Sequence, residues 1–237
     1  MKTLIFDIET IGERWEEMDE GTRAFFEHKV RASAESEEEV AEEMEALKAE
    51  FGLSPLTGQV VAIGVLDAET GKGGVYFQAP GEKIAIFEED NVKYEAMDEP
   101  AMLKKFWDVA QYATTFVSFN GRTFDGPFLA LRSAAHRIRP TKDLMSNRYL
   151  SSQRFDAKHV DLKDQLTFYG AFNKRHALHL YCRALGVASS KEGGVDGSEV
   201  GQFFHDRKFL DIARYNARDL RATKELYEVW QKYVQLQ

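Results

Sequence analysis

"FDIET", residues 6–10, closes a short apolar opening, "MKTLI". The run "KTLIFDI", residues 2–8, is short, apolar and rich in β-formers, so it reads as a buried strand that anchors a core. Two carboxylates, Asp7 and Glu9, sit at its end. Side chains two apart on a strand share a face. Two ionised carboxylates on one face beside a core repel and are costly unless something pairs with them. A basic side chain, a backbone donor or a metal ion would serve, and hard oxygen ligands of this kind suit Mg²⁺ or Mn²⁺. A lone D-x-E is common, however, and alone it is explained more simply by a helix cap or a Lys partner.

The rest of the 237-residue chain fits one large domain better than two small ones. Its 43% hydrophobic content supports a real core, and no Pro/Gly/Ser linker or internal repeat divides it. There is one cysteine, Cys182, so neither an intrachain disulfide nor a multi-cysteine zinc site is possible. Cys182 lies in the apolar helical stretch "ALHLYCRALG", where packing is its expected role. The chain has no signal-peptide pattern and no run of 18 apolar residues, so a soluble, cytoplasmic protein is expected, with no membrane partner.

The net charge of −8 argues against sequence-independent clamping of a long duplex. The charge is uneven. Residues 1–50 carry 16 Asp/Glu against 6 Lys/Arg, whereas residues 121–160 carry 8 Lys/Arg against 3 Asp. The basic strip could guide a polyanion to a site, or be no more than a solvated face.

Residues 13–50 read as helices. Val40, Met44 and Leu47 lie at helical spacing opposite a strongly acidic face, with Gly52 as the stop. "GQVVAIGVLDAETGKGGVYFQA" reads as a hairpin, residues 98–112 as a helix and "TTFVSFN" as a further strand. Helices then dominate, ending in a long one from about residue 206 to 233. Three early strands, one more and closing helices imply an α/β or α+β sandwich around a central mixed sheet.

Two further stretches carry chemistry. In "FNGRTFDGPF", residues 119–128, a turn at Gly121 leads to Asp125, and Pro127 suits the first turn of a helix. Asp125 thus stands at a strand-to-helix junction, where an isolated Asp is most simply an N-cap. In "YNARDL", Tyr215 and Asp219 are four apart on the last helix and share a face. That helix has an apolar stripe of Phe209, Leu210, Ile212, Leu220, Leu226 and Trp230, and Asp219 lies beside it. A surface ion pair with Arg214, Arg218 or Arg221 is the simple alternative.

Together, "FDIET", "FNGRTFDGPFL" and "YNARDL" resemble the three motifs D-x-E, N-x-x-x-F-D and Y-x-x-x-D of the DEDD 3′→5′ exonucleases, in their tyrosine-containing DEDDy branch. The similarity is to the proofreading exonuclease domain of family B DNA polymerases. "VDLKDQLTFYG", "ALGVASSK" and "GGVDGSEV" look like the same group, so the likeness spans most of the chain. The acidic helical segment at about 13–52 is the least covered part. The resemblance implies a ribonuclease H-like α/β fold, residues 1–237 as a single exonuclease domain with that segment as an insertion, and a stand-alone enzyme with no polymerase domain.

The chemistry implied is metal-dependent hydrolysis of single-stranded nucleic acid from its 3′ end, DNA favoured over RNA, releasing 5′-mononucleotides with two divalent ions, Mg²⁺ or Mn²⁺. By the same resemblance Asp7, Glu9 and Asp219 would hold the metal that activates water. Asp7 and Asp125 would hold the second, near the leaving oxygen, Asp125 through water. Tyr215 would orient the attacking water. Substrate contacts would come from Thr10, Ile11, Asn120, Arg122 and Phe124. Phe124 could equally be core and Arg122 a surface ion pair. Asp161 in "HVDLKD" reads as a helix N-cap, and Lys191 could reach the substrate.

Other readings fail on the residues. His176, His179 and Cys182 recur every three positions, but steps of three drift around a helix and no carboxylate completes a metal set. Phosphatases with a nucleophilic Asp need a second Asp where Glu9 stands. No P-loop, serine elbow or dinucleotide fingerprint occurs. The alternative of another class is a non-catalytic relative that binds nucleic acid or a protein through the acidic helix of residues 36–50.

Overall fold

The structure, a computed structural model, describes residues 2–173, 176–189 and 197–235. Strand β1 (Thr3–Gly12) is followed by helices α1 (Glu20–Ser33) and α2 (Glu37–Glu50). Then come β2 (Gly58–Asp67), β3 (Gly73–Phe77), β4 (Phe87–Glu89) and β5 (Val92–Ala96). Helix α3 (Glu99–Ala110), β6 (Thr115–Ser118), α4 (Asp125–Ala135) and β7 (Lys158–Asp161) follow. The chain closes with α5 (Leu162–Leu166), α6 (Leu178–Leu185), α7 (Val200–His205) and α8 (Phe209–Tyr233).

One sheet runs in the order β4-β5-β3-β2-β1-β6-β7. Strand β1 pairs antiparallel with β2 and parallel with β6, so the sheet is mixed. Leu4, Ile5 and Phe6 are fully buried, which at about 1.5–3 kcal/mol per large apolar side chain makes this strand a principal source of stability. Alternation divides its two faces. Leu4, Phe6 and Ile8 pack with Met102, Phe106 and Phe128 from α3 and α4. Ile5 packs with Ile212, Ala217 and Leu220 from α8. Asp7 and Glu9 therefore share the face of Ile5 and look toward α8.

The sequence reading gives four strands, and three more appear. Strand β5 alternates buried Val92 and Tyr94 with outward Lys93 and partly buried Glu95. Strand β4 is three residues long at the sheet edge, joined to β5 through Asp90 and Asn91, both at positive φ. Strand β7 has only four residues, "KHVD", and buries the polar His159 and Asp161. The last helix begins at Phe209 rather than about 206, because Arg207 takes φ 61° and Lys208 is non-helical.

The segment between β1 and β2 is helical, as the acidic pattern implies. Asp19 caps α1 by accepting from Thr22 N (3.0 Å), and Ser36 caps α2 by accepting from Glu39 N (3.2 Å). Val40, Met44 and Leu47 are only half-buried, so α2 lies on the surface. It stops at Glu50, and Gly52 falls in a 3₁₀ turn, Phe51–Leu53. No helix among the described residues is long and apolar enough to cross a membrane.

Candidate active site

Three elements converge on one face of β1. The first is β1 itself. Strand β6 pairs with it only as far as Ile5↔Val117, so the amide of Ile8 on that side is left for another acceptor. Asp125, at the start of α4, supplies it: Asp125 Oδ1 accepts from Ile8 N at 3.1 Å. The N-cap alternative for Asp125 therefore does not describe it, since its side chain bonds across to β1. The β6–α4 turn that delivers it is tight. Asn120 adopts φ 67°, and a Cβ at Gly121 would lie 2.1 Å from Ser118 Oγ and 3.4 Å from Asp125 Oδ2.

Helix α8 brings Tyr215, Asn216 and Asp219 over β1. Its approach depends on Gly64 of β2, the register partner of Asp7. A Cβ there would fall 2.0 Å from Asn216 Oδ1 and 2.6 Å from Leu220 Cδ1. With that space open, Asn216 Nδ2 donates to Asp7 Oδ2 at 2.8 Å and hydrogen-bonds Glu9 as well. One ligand oxygen each from Asp7, Glu9 and Asp219 then lies within 4.8 Å of the others.

Glu9, Asp125 and Asp219 are buried and Asp7 is partly exposed. Among the described residues no Lys or Arg forms an ion pair with Asp7, Glu9 or Asp125. Burial, then the neighbouring carboxylates, raises Asp7 and Glu9 well above the ordinary carboxylate range. Burial likewise pushes Asp125 up to about 7, against the opposing pull of the Ile8 amide. Such a cluster calls for protons or a cation. An all-oxygen donor set with no basic neighbour on three of its members fits hard divalent ions. Burial and then the charges of Asp219, Glu9 and Asp7 raise the Tyr215 phenol. This favours its protonated form, in which the hydroxyl can donate a hydrogen bond.

Of the residues expected at a substrate, Thr10, Ile11 and Phe124 line one cavity of about 280 Å³ together with Glu9. Phe124 is backed by Phe128, ring centroids 5.0 Å apart. Thr10 Oγ1 donates to Gly52 O at 2.6 Å. Asn120 and Arg122 do not line that cavity. Asn120 lines a neighbouring one of about 140 Å³ with Arg148 and Lys163. The Arg122 guanidinium donates to the carbonyls of Leu144 (3.1 Å) and Met145 (3.4 Å). Much of the basic strip is similarly paired: Arg132 with Glu99, Arg148 with Asp164, Arg154 with Asp156. Lys191 lies outside the described residues.

Asp161 is the N-cap expected of it, accepting from Lys163 N (2.9 Å), but it also accepts from Asn120 N (2.9 Å) and Arg122 N (3.0 Å). It thus fastens the turn that aims Asp125. Sequence reasoning missed this second role, and missed Asn216, whose position three before Asp219 on the same helix face was the available signal. His179 bonds to Ser189 Oγ (2.7 Å) and burial pushes the Cys182 thiol up to about 11, so neither acts as a ligand pair.

Comparison with known proteins bears on the fold and the family. No curated protein matches the chain. Among solved structures, the family B DNA polymerase of the hyperthermophilic archaeon Pyrobaculum calidifontis is similar in fold, at 18% identity and a TM-score of 0.58. The likeness covers 97% of this chain and 24% of that polymerase, so the chain spans about a quarter of its length. The shared fold is the ribonuclease H-like α/β arrangement of a mixed sheet flanked by helices. A family described as predicted 3′-5′ exonucleases related to the exonuclease domain of PolB matches residues 57–237. That span holds Asp125, Tyr215 and Asp219, while β1 with Asp7 and Glu9 precedes it. Matching most of its length, the chain belongs to this family of predicted PolB-related 3′-5′ exonucleases.

Proposed function

We propose that the protein is a DEDDy-type 3′→5′ exonuclease that removes nucleotides one at a time from single-stranded ends, DNA in preference to RNA. The observation that carries this is the cluster itself. Oxygens of Asp7, Glu9 and Asp219 lie within 4.8 Å of one another, Asp125 is fixed to the same strand at Ile8, and Tyr215 stands beside them.

Two divalent ions, Mg²⁺ or Mn²⁺, would supply activation of the attacking water and neutralisation of charge at the leaving oxygen. Asp7, Glu9 and Asp219 would hold one, and Asp7 with Asp125 the other. Asn216 aims the carboxylates of Asp7 and Glu9. The protonated Tyr215 hydroxyl donates to and orients the oxygen that attacks phosphorus. The P–O3′ bond of the last linkage breaks, a nucleoside 5′-monophosphate leaves, and the shortened strand takes a proton as its new 3′-hydroxyl. Thr10, Ile11 and Phe124 border the cavity where the terminal sugar and base would sit, Phe124 as a stacking platform. Asn120 and Arg122 contribute by shaping the turn ahead of Asp125 and by bordering the strand's path.

The test uses 5′-labelled single-stranded DNA and RNA of equal sequence, with Mg²⁺, Mn²⁺ or chelator, alongside Asp7→Ala. A metal-dependent ladder shortening from the 3′ end, at least 10³-fold weaker in the variant, is expected. A folded wild type giving no ladder on either strand would instead favour a binding-only protein.

A further inference from the structure

We propose that the helical segment between β1 and β2 supplies the outer wall of the terminal-nucleotide subsite, through Leu53 and Lys48. This deepens the exonuclease reading above and rests on it. The cavity that contains Glu9, Thr10, Ile11 and Phe124 is also bordered by Lys48, Ala49, Gly52 and Leu53, and by Gly197 and Ser198. Lys48, Ala49, Gly52 and Leu53 lie outside the span matched by the exonuclease family. They share that position with β1, which carries Asp7 and Glu9.

Two features suit it to a nucleotide. Leu53 is 65% exposed although aliphatic, held at the cavity rim by the 3₁₀ turn Phe51–Leu53. With Phe124 on the same cavity it gives a flat base a second apolar surface, as sequence-tolerant binding of single strands requires. Helix α2 carries seven Glu and a single Lys, and that Lys borders the cavity together with its neighbour Ala49. Its ammonium is steadied by Glu45 (2.7 Å) and by the Trp15 ring (5.6 Å). An otherwise anion-repelling helix thus presents its one cation where the phosphates of an incoming strand must pass.

The wall is also rigidly joined to the carboxylates. Thr10 Oγ1 donates to Gly52 O at 2.6 Å. The backbones of residues 12 and 52 touch: a Cβ on Gly52 would be 3.0 Å from Gly12 N. Phe51 is buried between Trp15 and Phe26, with centroids 6.3 and 5.1 Å away. A wall held this way keeps a fixed width. At about 280 Å³ the cavity is at the small end of ligand sites, ~300–1,000 Å³.

The probe is thymidine 5′-monophosphate, titrated calorimetrically with Mg²⁺ into wild type, Leu53→Ala, Lys48→Ala and Lys48→Arg. Leu56→Ala serves as control, because Leu56 is 79% exposed and does not line the cavity. The same variants are assayed on a single-stranded oligonucleotide. Leu53→Ala should weaken binding and raise KM about 5- to 10-fold with kcat within twofold. Lys48→Ala should raise KM and flatten the dependence of log(kcat/KM) on log salt by about 0.7, and Lys48→Arg should restore both. If wild type binds the nucleotide and the variants bind it equally, the wall is overturned and the exonuclease reading stands. If wild type neither binds it nor shortens the oligonucleotide, the exonuclease reading fails and the wall with it.

Discussion

Replacing Gly64 by Ala tests whether the site depends on how closely α8 lies on the sheet. The added Cβ would stand 2.0 Å from Asn216 Oδ1, whereas ordinary contact begins near 3.4 Å. The buried Asn216 cannot swing away, because its amide nitrogen is fixed to Asp7 at 2.8 Å. Helix and strand must then separate locally by about 1.4 Å, or the Asn216–Asp7 bond must break. Overpacking of this kind costs about 1–3 kcal/mol, which at ~2–4 °C per kcal/mol for a chain of this size is a visible fall in Tm. The larger effect falls on chemistry, since a misplacement of ~1 Å costs about 10²-fold in rate. The assay is cleavage of a single-stranded oligonucleotide at a temperature where the variant is fully folded, with Mn²⁺ affinity measured in parallel. Gly71→Ala is the matched control. It strains a turn at φ 68° with nothing within 4 Å, so it loses stability without touching the site. Gly64→Ala with wild-type rate and metal affinity would refute the claim that this glycine sets the helix-to-strand distance.

Three further outcomes follow from the same geometry. Asn216→Ala removes the donor that aims Asp7 and Glu9, and Mn²⁺ affinity should drop about 10–100-fold by calorimetry; unchanged affinity would show that the carboxylates hold their places without it. Asp125 is raised to about 7 by burial, so between pH ~4 and ~7 the folded, metal-free chain holds a proton the unfolded chain has lost. Its stability contribution therefore falls as pH rises through that window. Asp125→Asn, which keeps an acceptor for Ile8, should melt above wild type in chelator at pH 8 and lose most of that advantage at pH 5. Asp161→Ala orphans the amides of Asn120 and Arg122, and denaturant unfolding should show a loss of about 2–4 kcal/mol; a loss under 1 kcal/mol would mean that water replaces the carboxylate.

The elements that could be read from sequence are those whose residues conflict with their surroundings. Asp7 and Glu9 stand out because they end an apolar strand, and Asp219 because it adjoins an apolar stripe. Strand β1 and helix α8 were legible for the same reason, since long regular patterns leave little room for a second reading. Strands β4 and β5 were not. Lys93 and Glu89 look like loop residues, and the turn at Asp90-Asn91 declares itself only once both are known to take positive φ. Strand β7 is hidden because His159 and Asp161, polar by type, are buried by contacts from distant segments: Ser118 Oγ at 2.8 Å from His159, and two amides on Asp161. The roles of Asn216 and Gly64 were out of reach for a related reason. Each exists only in the distance between two elements, and no pattern along one element encodes that distance. Arg122 shows the converse, a residue in a motif whose side chain is taken up by nearby carbonyls.

The hydrogen bond from Asn216 to Asp7 joins residues 209 positions apart. On a ribosome extending the chain at ~5–20 residues/s, the first carboxylates emerge about 10–40 s before the helix that completes their cluster. An unfinished chain holds Asp7 and Glu9 but not Asp219, and so lacks one member of the proposed metal-holding set. Because the last long helix closes the centre, any hydrolytic capacity is withheld from the nascent chain beside its own messenger RNA. On the function proposed above, that capacity requires α8 to lie on β1 and β2.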